Sequence, residues 1–181
     1  MRVVSGSARG TVLFSPESEG TRPTTDRVKE NIFNLIQFDV PGKNVLDLFS
    51  GSGAMGIEAL SRGASSATFV DSSPSAVSII KKNIEKTKFT LNSQVVSKSF
   101  DAFLKSASLK FDLIFLDPPY HKGYIDEAIK LLLERELLKN DAVIVCECDR
   151  DEEIKDYDEL FKLKEKLYGR VKITVLKKKG I

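Results

Sequence analysis

The sequence predicts an α/β fold in which a parallel β-sheet is covered by helices on both faces. From residue 44 onward, short and largely apolar segments alternate with segments of helical periodicity. A glycine-rich turn follows the first apolar segment, and Ser73 with Pro74 forms a typical helix start, a capping hydroxyl before a proline. Because strands that are apolar throughout must be buried on both sides, helices are expected above and below the sheet. Ligands bind such sheets beyond the carboxyl ends of the strands.

The expected elements follow from this alternation and from the turn signals between them. Strands are expected at residues 45–49, 67–70, 95–96, 111–116, 142–146, 161–167 and 171–176, and helices at 54–61, 73–86 and 125–138. A strand of this kind ends where polar residues and glycine or proline begin. The side chains at those ends are therefore the candidates for chemistry.

The N-terminal part of the chain is expected to be organised differently. Two strand-like pieces, at 2–5 and 11–14, predict a hairpin-like extension. A helix is then expected to open near Thr24. The predicted domain organisation is thus an extension at residues 1–23 and one larger α/β domain at 24–181.

Length and composition are those of a single globular domain. The chain has 181 residues, of which 41% are hydrophobic and 30% charged. It has two cysteines, no apolar run approaching the roughly 20 residues of a membrane helix, and no signal-peptide core. A cytoplasmic protein without membrane association is therefore expected. The net charge of +2 is too mild to identify a nucleic-acid-binding protein, and the acidic run at 147–159 and the basic run at 162–179 are typical of solvated faces.

The glycine-rich turn predicts a ligand that contains adenosine. Glycines at 51, 53 and 56 allow a tight turn and a close approach of the ligand to the backbone. Asp71 comes 20 residues after Gly51, at the end of the second strand, where its carboxylate can accept hydrogen bonds from a ribose diol. This spacing fits NAD as well as S-adenosylmethionine.

Asp47 favours S-adenosylmethionine over NAD. It lies in the first strand, four residues before Gly51. A carboxylate under the turn suits a cationic amino-acid moiety, bound directly or through water, whereas it repels a pyrophosphate. The alternative interpretation is that Asp47 only ties down the glycine loop.

The tetrapeptide after the fourth strand predicts chemistry on the amino group of a nucleic-acid base. It consists of Asp117, Pro118, Pro119 and Tyr120. The prolines donate no hydrogen bonds and fix φ, so the site presents acceptors and a stacking plane. The Asp117 carboxylate and the Pro118 carbonyl can each accept one N–H, which aims the nitrogen lone pair at a sulfonium methyl group. Tyr120 would then stack on a base flipped out of its helix or loop.

Other candidates carry less information. Asp101, near the end of the third strand, is a candidate partner for the adenine amino group with Phe100 packed beside it, although helix-cap and core roles fit as well. Cys146 and Cys148 have no further partners with metal-ligand spacing, so buried structural thiols and no metal site are expected. His121 is the only histidine and is interpreted as a solvated loop residue.

Three segments together resemble the RsmD family of bacterial methyltransferases. They are the segment 21–30, read Thr-Arg-Pro-Thr-Thr-Asp-Arg-Val-Lys-Glu, then 47–53, and then 117–120. The likeness extends over nearly the whole chain, including 165–169 before the last strand. The family often has basic residues after Gly10, whereas this chain has Thr11 and Val12, which weakens the case for an N-terminal hairpin that grips RNA.

The resemblance implies the fold, the reaction and the substrate. The fold is a Rossmann-like, seven-stranded, mostly parallel sheet with one antiparallel strand, and the reaction is methylation of guanine N2 in 16S ribosomal RNA. The substrate is a 30S subunit or an assembly intermediate, and a monomeric enzyme is expected. Arg22, Thr24 and Arg27 would lie near the mouth of the active site with Tyr120. The cofactor residues are predicted to be Asp47, Phe49, Ser50, Gly51, Ser52, Gly53, Gly56, Asp71, Ser72, Phe100 and Asp101.

Three alternatives to this function stay open. An adenine-N6 methyltransferase acting on DNA or RNA would use the same two acceptors, but it usually carries a sequence-reading domain. A nicotinamide-dependent oxidoreductase is disfavoured by Asp47 and by the lack of strong donors in the tetrapeptide. A catalytically silent RNA-binding module is disfavoured by the intact tetrapeptide at 117–120.

Overall fold

The computed structural model describes residues 1–15 and 26–180. Within them, seven strands form one sheet in the order β3-β2-β1-β4-β5-β7-β6. The strands are β1 (Asn44–Asp47), β2 (Ser66–Asp71), β3 (Ser93–Ser97), β4 (Phe111–Leu116), β5 (Leu138–Asp149), β6 (Leu160–Tyr168) and β7 (Val171–Lys178). The α-helices are α1 (Asp26–Leu35), α2 (Ala54–Ser61), α3 (Pro74–Thr87), α4 (Phe100–Ser106) and α5 (Tyr124–Glu134).

The strand directions confirm the predicted sheet. Strands β1 to β5 pair in parallel, and β7 runs antiparallel to both of its neighbours, β5 and β6. The tight turn between β6 and β7 contains Gly169 at φ 64°. Inserting β7 between β5 and β6 brings that turn to the edge at which the parallel strands end.

Helices cover both faces, as the apolar strands require. On one face α1, α2 and α3 pack through fully buried residues such as Phe33, Ile57 and Ile80. On the other face α4 and α5 pack through Leu104 and Ile129. Residues adjacent along one strand alternate between the two cores, so every central strand is held from both sides.

The helices differ from the prediction in two respects, each for an identifiable reason. The helix expected at 125–138 ends at Glu134, because Glu136 adopts a left-handed φ of 51° and Leu138 already pairs with Phe111 in the sheet. The apolar spacing alone could not separate the helix from the strand that follows it. The short helix α4 is absent from the predicted elements, and Asp101, a short distance after β3, lies in its first turn.

The N-terminal residues form a hairpin-like loop with one antiparallel bridge, between Arg2 and Val12, rather than two regular strands. Val3 and Leu13 are buried in the core that α2 shares with the sheet. Gly6 passes so close to α2 that a Cβ would stand 1.8 Å from the Ser61 carbonyl oxygen. The loop is therefore packed as a part of the domain surface.

A buried ion pair anchors this loop to the domain. Lys29 of α1 and Glu58 of α2 are fully buried, with Nζ and Oε2 3.1 Å apart. The Glu58 carboxylate also accepts hydrogen bonds from the backbone N–H groups of Val4, at 2.8 Å, and Ser5, at 3.0 Å, and from Arg62 Nε. Burial lowers the pKa of Lys29, and the Glu58 carboxylate opposes that shift.

The two cysteines are buried free thiols, as predicted. Both Cys146 and Cys148 pack into the core beneath α4 and α5. Burial raises the pKa of Cys148 to about 11.

Among the described residues no group of three or more His, Cys, Asp or Glu side chains is placed to hold a metal ion. None of the helices that the structure describes is long and apolar enough to cross a bilayer.

Candidate active site at the carboxyl ends of the strands

The predicted cofactor and catalytic residues meet at one edge of the sheet. Asp47 ends β1, Asp71 ends β2, and Asp117 directly follows β4. Because β1 lies between β2 and β4, the three carboxylates belong to three adjacent strands. The sheet topology thus joins residues that are far apart in sequence.

The glycine-rich turn between β1 and α2 is tied to both neighbouring strands. Ser50 Oγ donates to the Asp47 carbonyl at 2.6 Å and accepts from the Val70 N–H at 2.9 Å. Gly51 and Gly53 adopt left-handed φ values of 54° and 78°. No atom lies within 4 Å of the position that a Cβ would take at Gly51, so the backbone there is open to a ligand.

Gly56 and Ser52 link the turn to its surroundings. A Cβ at Gly56 would stand 2.4 Å from the ring of Phe69 on β2, so only glycine allows α2 to approach the sheet this closely. The Ser52 carbonyl accepts a hydrogen bond from Asn83 Nδ2 at 2.8 Å. The same amide nitrogen donates to the Phe14 carbonyl at 2.9 Å, which connects the N-terminal loop to the turn.

Asp71 is half-buried beside the turn. Its Oδ2 accepts a hydrogen bond from the Gly51 N–H at 2.8 Å, and its Oδ1 accepts one from the Ser73 N–H at 2.9 Å. Ser72, between them, is exposed. Each carboxylate oxygen has a further lone pair, so the two backbone donors orient Asp71 without saturating it.

Asp47 is buried under the turn, and its Oδ2 accepts a hydrogen bond from the Gly56 N–H at 3.0 Å. Burial raises the pKa of Asp47 to about 7; the hydrogen bond from Gly56 opposes this shift and the charge of Asp71 adds to it. Asp47 therefore does tie down the glycine loop. A nearby cation would favour its charged form.

Three aromatic rings form a cluster next to the turn. The Phe49 and Phe100 ring centroids are 5.1 Å apart, and Tyr124 lies 6.4 Å from Phe49, stacked at 9°, and 5.2 Å from Phe100. Sequence reasoning missed Tyr124, whose only signal is its place at the start of the helix after the tetrapeptide. Asp101 lies in α4, where its Oδ2 pairs with Lys105 Nζ at 3.1 Å. Hydrogen bonds from Ser99 and Lys105 lower the pKa of Asp101.

The tetrapeptide contacts the last part of β5 through Tyr120. Asp117 and Tyr120 are half-buried, Pro118 is buried, and Pro119 is exposed. The Tyr120 hydroxyl donates to Glu147 Oε1 at 3.1 Å. Burial, together with the charge of Glu147, holds the pKa of the Tyr120 phenol well above its usual range. A shallow pocket beside the loop is lined by Pro118, Tyr120, Tyr124, Asp126, Glu147 and Glu152.

The residues expected to bind substrate are only partly described. Arg22 and Thr24 lie outside the described residues. Arg27 is exposed in the first turn of α1. The basic C-terminal run extends from one edge of the sheet toward the other: Arg170 lies in the turn between β6 and β7 at the carboxyl edge, whereas Lys177 pairs with Val143 toward the opposite edge. The alternating directions of β6 and β7 divide this run between the two edges.

The chain is similar to known proteins over nearly its full length. A family model described as Conserved hypothetical protein 95 matches residues 1–177. Ribosomal RNA small subunit methyltransferase D of Haemophilus influenzae is 38% identical over 174 residues, covering 94% of this chain and 90% of its own length. YlbH of Bacillus subtilis is 39% identical over 184 residues, covering 99% of this chain and 100% of its own. The solved structure of yhhF from Escherichia coli has a TM-score of 0.89 at 32% identity, covering 100% of this chain and 99% of that chain.

The fold and the glycine-turn site define a methyltransferase of the S-adenosylmethionine-dependent class. Within that class, the family model and the relatives above 30% identity identify the family. The chain belongs to the RsmD family. This membership confirms the resemblance carried by segments 21–30, 47–53 and 117–120.

The raised pKa of Asp47 predicts a specific dependence of stability on pH. Its ordinary value is about 3.9, so the folded protein binds this proton more tightly than the unfolded chain does. The stabilisation that the protonated Asp47 gives the folded protein is fully present below about pH 4. It is lost as the pH rises through about 7, the pKa of Asp47 in the folded protein. Its size is at most on the order of 4 kcal/mol, at 1.36 kcal/mol for each unit of pKa.

Urea unfolding of the wild type and of Asp47→Asn at pH 5, 6, 7 and 8 measures this contribution. The wild type should lose stability relative to the variant as the pH rises, because the amide cannot ionise. A difference between the two proteins that stays constant from pH 5 to 8 would contradict the raised pKa.

Proposed function

We propose that this protein transfers a methyl group from S-adenosylmethionine to the exocyclic N2 of a guanine in 16S ribosomal RNA. The observation that carries the proposal is the acceptor-lined site at 117–120, directly beside the glycine turn at the end of the neighbouring strand. An amine substrate needs acceptors and a stacking plane, and the half-buried Asp117, the Pro118 carbonyl and the Tyr120 ring supply them.

The residues around the turn fit S-adenosylmethionine. Asp71, held by two backbone N–H groups, would accept hydrogen bonds from the ribose hydroxyls. Asp47 would face the cationic amino group through the turn, and that cation would shift the carboxyl toward its charged form. The aromatic cluster of Phe49, Phe100 and Tyr124 offers an apolar surface for the adenine. Ser50, Gly51, Ser52, Gly53, Gly56, Ser72 and Asp101 complete the proposed set.

When bound, the cofactor supplies an electrophilic methyl group on a positively charged sulfur. The chain contributes orientation. Asp117 and the Pro118 carbonyl each accept one N–H of the amine, which draws the nitrogen toward tetrahedral geometry and frees its lone pair for in-line attack. The cofactor would supply the methyl carbon for the new N–C bond and would keep the electron pair of its carbon–sulfur bond. Because methylation makes the N–H of the amine strongly acidic, one proton can leave to solvent, and Asp117 would act as an orienting acceptor rather than as a strong base.

The ribosomal substrate is supported by relatives of the family. The Haemophilus influenzae relative and the Escherichia coli relative, the latter 37% identical over 149 residues, are both named for methylation of the small ribosomal subunit RNA. We extend that substrate to this chain, with a 30S subunit or an assembly intermediate as the form bound by a cytoplasmic, monomeric enzyme. Arg22, Thr24 and Arg27 are proposed to contact the RNA around Tyr120.

Mapping the methylated nucleoside tests this proposal. The protein is incubated with labelled S-adenosylmethionine and either naked 16S RNA or 30S particles that lack the modification, and the RNA is digested to nucleosides. N2-methylguanosine is the expected product, and it should form far more slowly when Asp117→Ala replaces the wild type. N6-methyladenosine would instead support the adenine-N6 alternative. No incorporation into either RNA would overturn the ribosomal substrate.

A further inference from the structure

Glu147 is a buried carboxylate behind the proposed stacking ring, and no step described above uses it. It is 7% exposed and accepts a hydrogen bond from the Tyr120 hydroxyl at 3.1 Å. We propose that Glu147 is a positioning residue that holds the Tyr120 ring in the orientation required to stack on the target base. This inference rests on the proposed function, because it assigns Tyr120 to base stacking.

Strand pairing delivers Glu147 to this position. Cys146 on β5 pairs with Leu116, the last residue of β4, so Glu147 lies level with the start of the catalytic loop. Cys146 and Cys148 face the core under α4 and α5, and alternation along the strand sends Glu147 to the other side. The carboxylate is therefore carried by a central strand rather than by a mobile loop.

A hydrogen bond at the hydroxyl controls where the ring points. The hydroxyl is the atom of tyrosine farthest from its Cα, so fixing it restricts the χ1 torsion that swings the ring. Burial and the charge of Glu147 keep the phenol protonated, which makes Tyr120 a donor throughout the range in which enzymes work. A hydrogen bond to a charged acceptor is stronger than one between neutral groups.

The backbone after Tyr120 is held by a second carboxylate. The His121 N–H donates to Glu152 Oε1 at 2.8 Å, and Glu152 Oε2 accepts from the Asp149 N–H at 3.1 Å. His121 itself adopts a left-handed φ of 58°. Glu152 thus ties the loop exit to the end of β5, and Glu147 orients the ring within that fixed loop.

This arrangement predicts that the hydroxyl and the carboxylate act as one unit. Without Glu147, or without the hydroxyl, the ring must be ordered when the base binds, and that cost lowers the rate of methyl transfer. Removing both groups should lower the rate of methyl transfer no more than removing one of them. A purely structural role of Glu147 would give no such dependence on the Tyr120 hydroxyl.

A double-mutant cycle tests the proposal with wild type, Glu147→Ala, Tyr120→Phe and the double variant. Single-turnover rates are measured at saturating RNA on whichever base the wild type methylates. Each single change is expected to lower the rate by about tenfold, and the double variant to be no slower than the slower single variant. Glu147→Gln keeps an acceptor oxygen and should stay within about twofold of the wild type. Glu153→Ala is the matched control, an exposed carboxylate from the same pocket.

Several outcomes would overturn the inference. Multiplicative effects in the cycle would show that the two groups act independently. If Glu147→Ala does not fold, a Glu147→Gln protein that is as slow as Tyr120→Phe would contradict it equally. Lowered affinity for S-adenosylhomocysteine at an unchanged rate would indicate a structural role. If the wild type does not methylate RNA, the proposed function and this inference are overturned together. If the wild type is active but the two substitutions affect the rate independently, only the inference is overturned.

Discussion

Replacing Asp117 with alanine should lower the single-turnover rate of methyl transfer by about a hundred- to a thousandfold, the usual effect of losing one preorganised electrostatic partner. The variant keeps the Pro118 carbonyl but loses the acceptor that orients the second N–H of the amine. Affinity for S-adenosylhomocysteine should be nearly unchanged, because Asp47, Asp71 and the turn remain in place. Rapid-quench measurement with saturating RNA gives the rate, and calorimetry gives the affinity.

Asp117→Asn is the matched variant for this experiment. Its amide oxygen still accepts a hydrogen bond, but without the charge, so its rate should lie between those of the wild type and the alanine variant. A near-normal rate for Asp117→Ala on a substrate methylated only at the exocyclic nitrogen would contradict the assigned role. A large loss of cofactor affinity would assign Asp117 to binding instead.

Replacing Glu58 with alanine should lower the free energy of unfolding by about 3–5 kcal/mol, the typical cost of breaking a buried ion pair from one side. The change leaves the fully buried Lys29 ammonium without its carboxylate. It also removes the acceptor for the backbone N–H groups of Val4 and Ser5. Urea unfolding at pH 7 measures the loss.

Two comparisons isolate the effect of burial. Glu134→Ala breaks an exposed pair with Lys130 in α5, and exposed pairs contribute at most about 1 kcal/mol. The double variant Lys29→Met and Glu58→Leu should recover only the part of the loss that comes from the unpaired Lys29 ammonium, because Arg62 and the N–H groups of Val4 and Ser5 still lose their acceptor. If Glu58→Ala were no more destabilising than Glu134→Ala, the pair would not anchor the loop.

Sequence patterns located those features whose signal is local. The strand at 111–116 is predicted with its observed ends, because its residues are apolar except for Asp112 and the charged Lys110 and Asp117 flank it. The spacing from Gly51 to Asp71 likewise reflects one strand–helix–strand unit, so it could be read without knowing the rest of the fold. The presence of one antiparallel strand was expected from the family resemblance alone, since periodicity gives neither strand direction nor strand order.

Features that depend on distant contacts were missed. Glu147 belongs to an acidic run, and its importance comes from the hydroxyl of Tyr120, 27 residues away. Tyr124 gains its role only when α5 brings it against Phe49 and Phe100. The helix α4 has only 7 residues, too few for a periodic pattern to identify.

The two thiols of β5 provide a chemical reporter on the strand that carries Glu147. They are the only cysteines in the chain, both are buried, and burial raises both of their pKa values. An alkylating reagent needs an accessible thiolate, so its attack must wait until β5 separates from the core beneath α4 and α5. The rate of labelling at Cys146 and Cys148 therefore reports how often this strand opens. A decrease in that rate when a ligand is bound measures how far the ligand stabilises the sheet against opening.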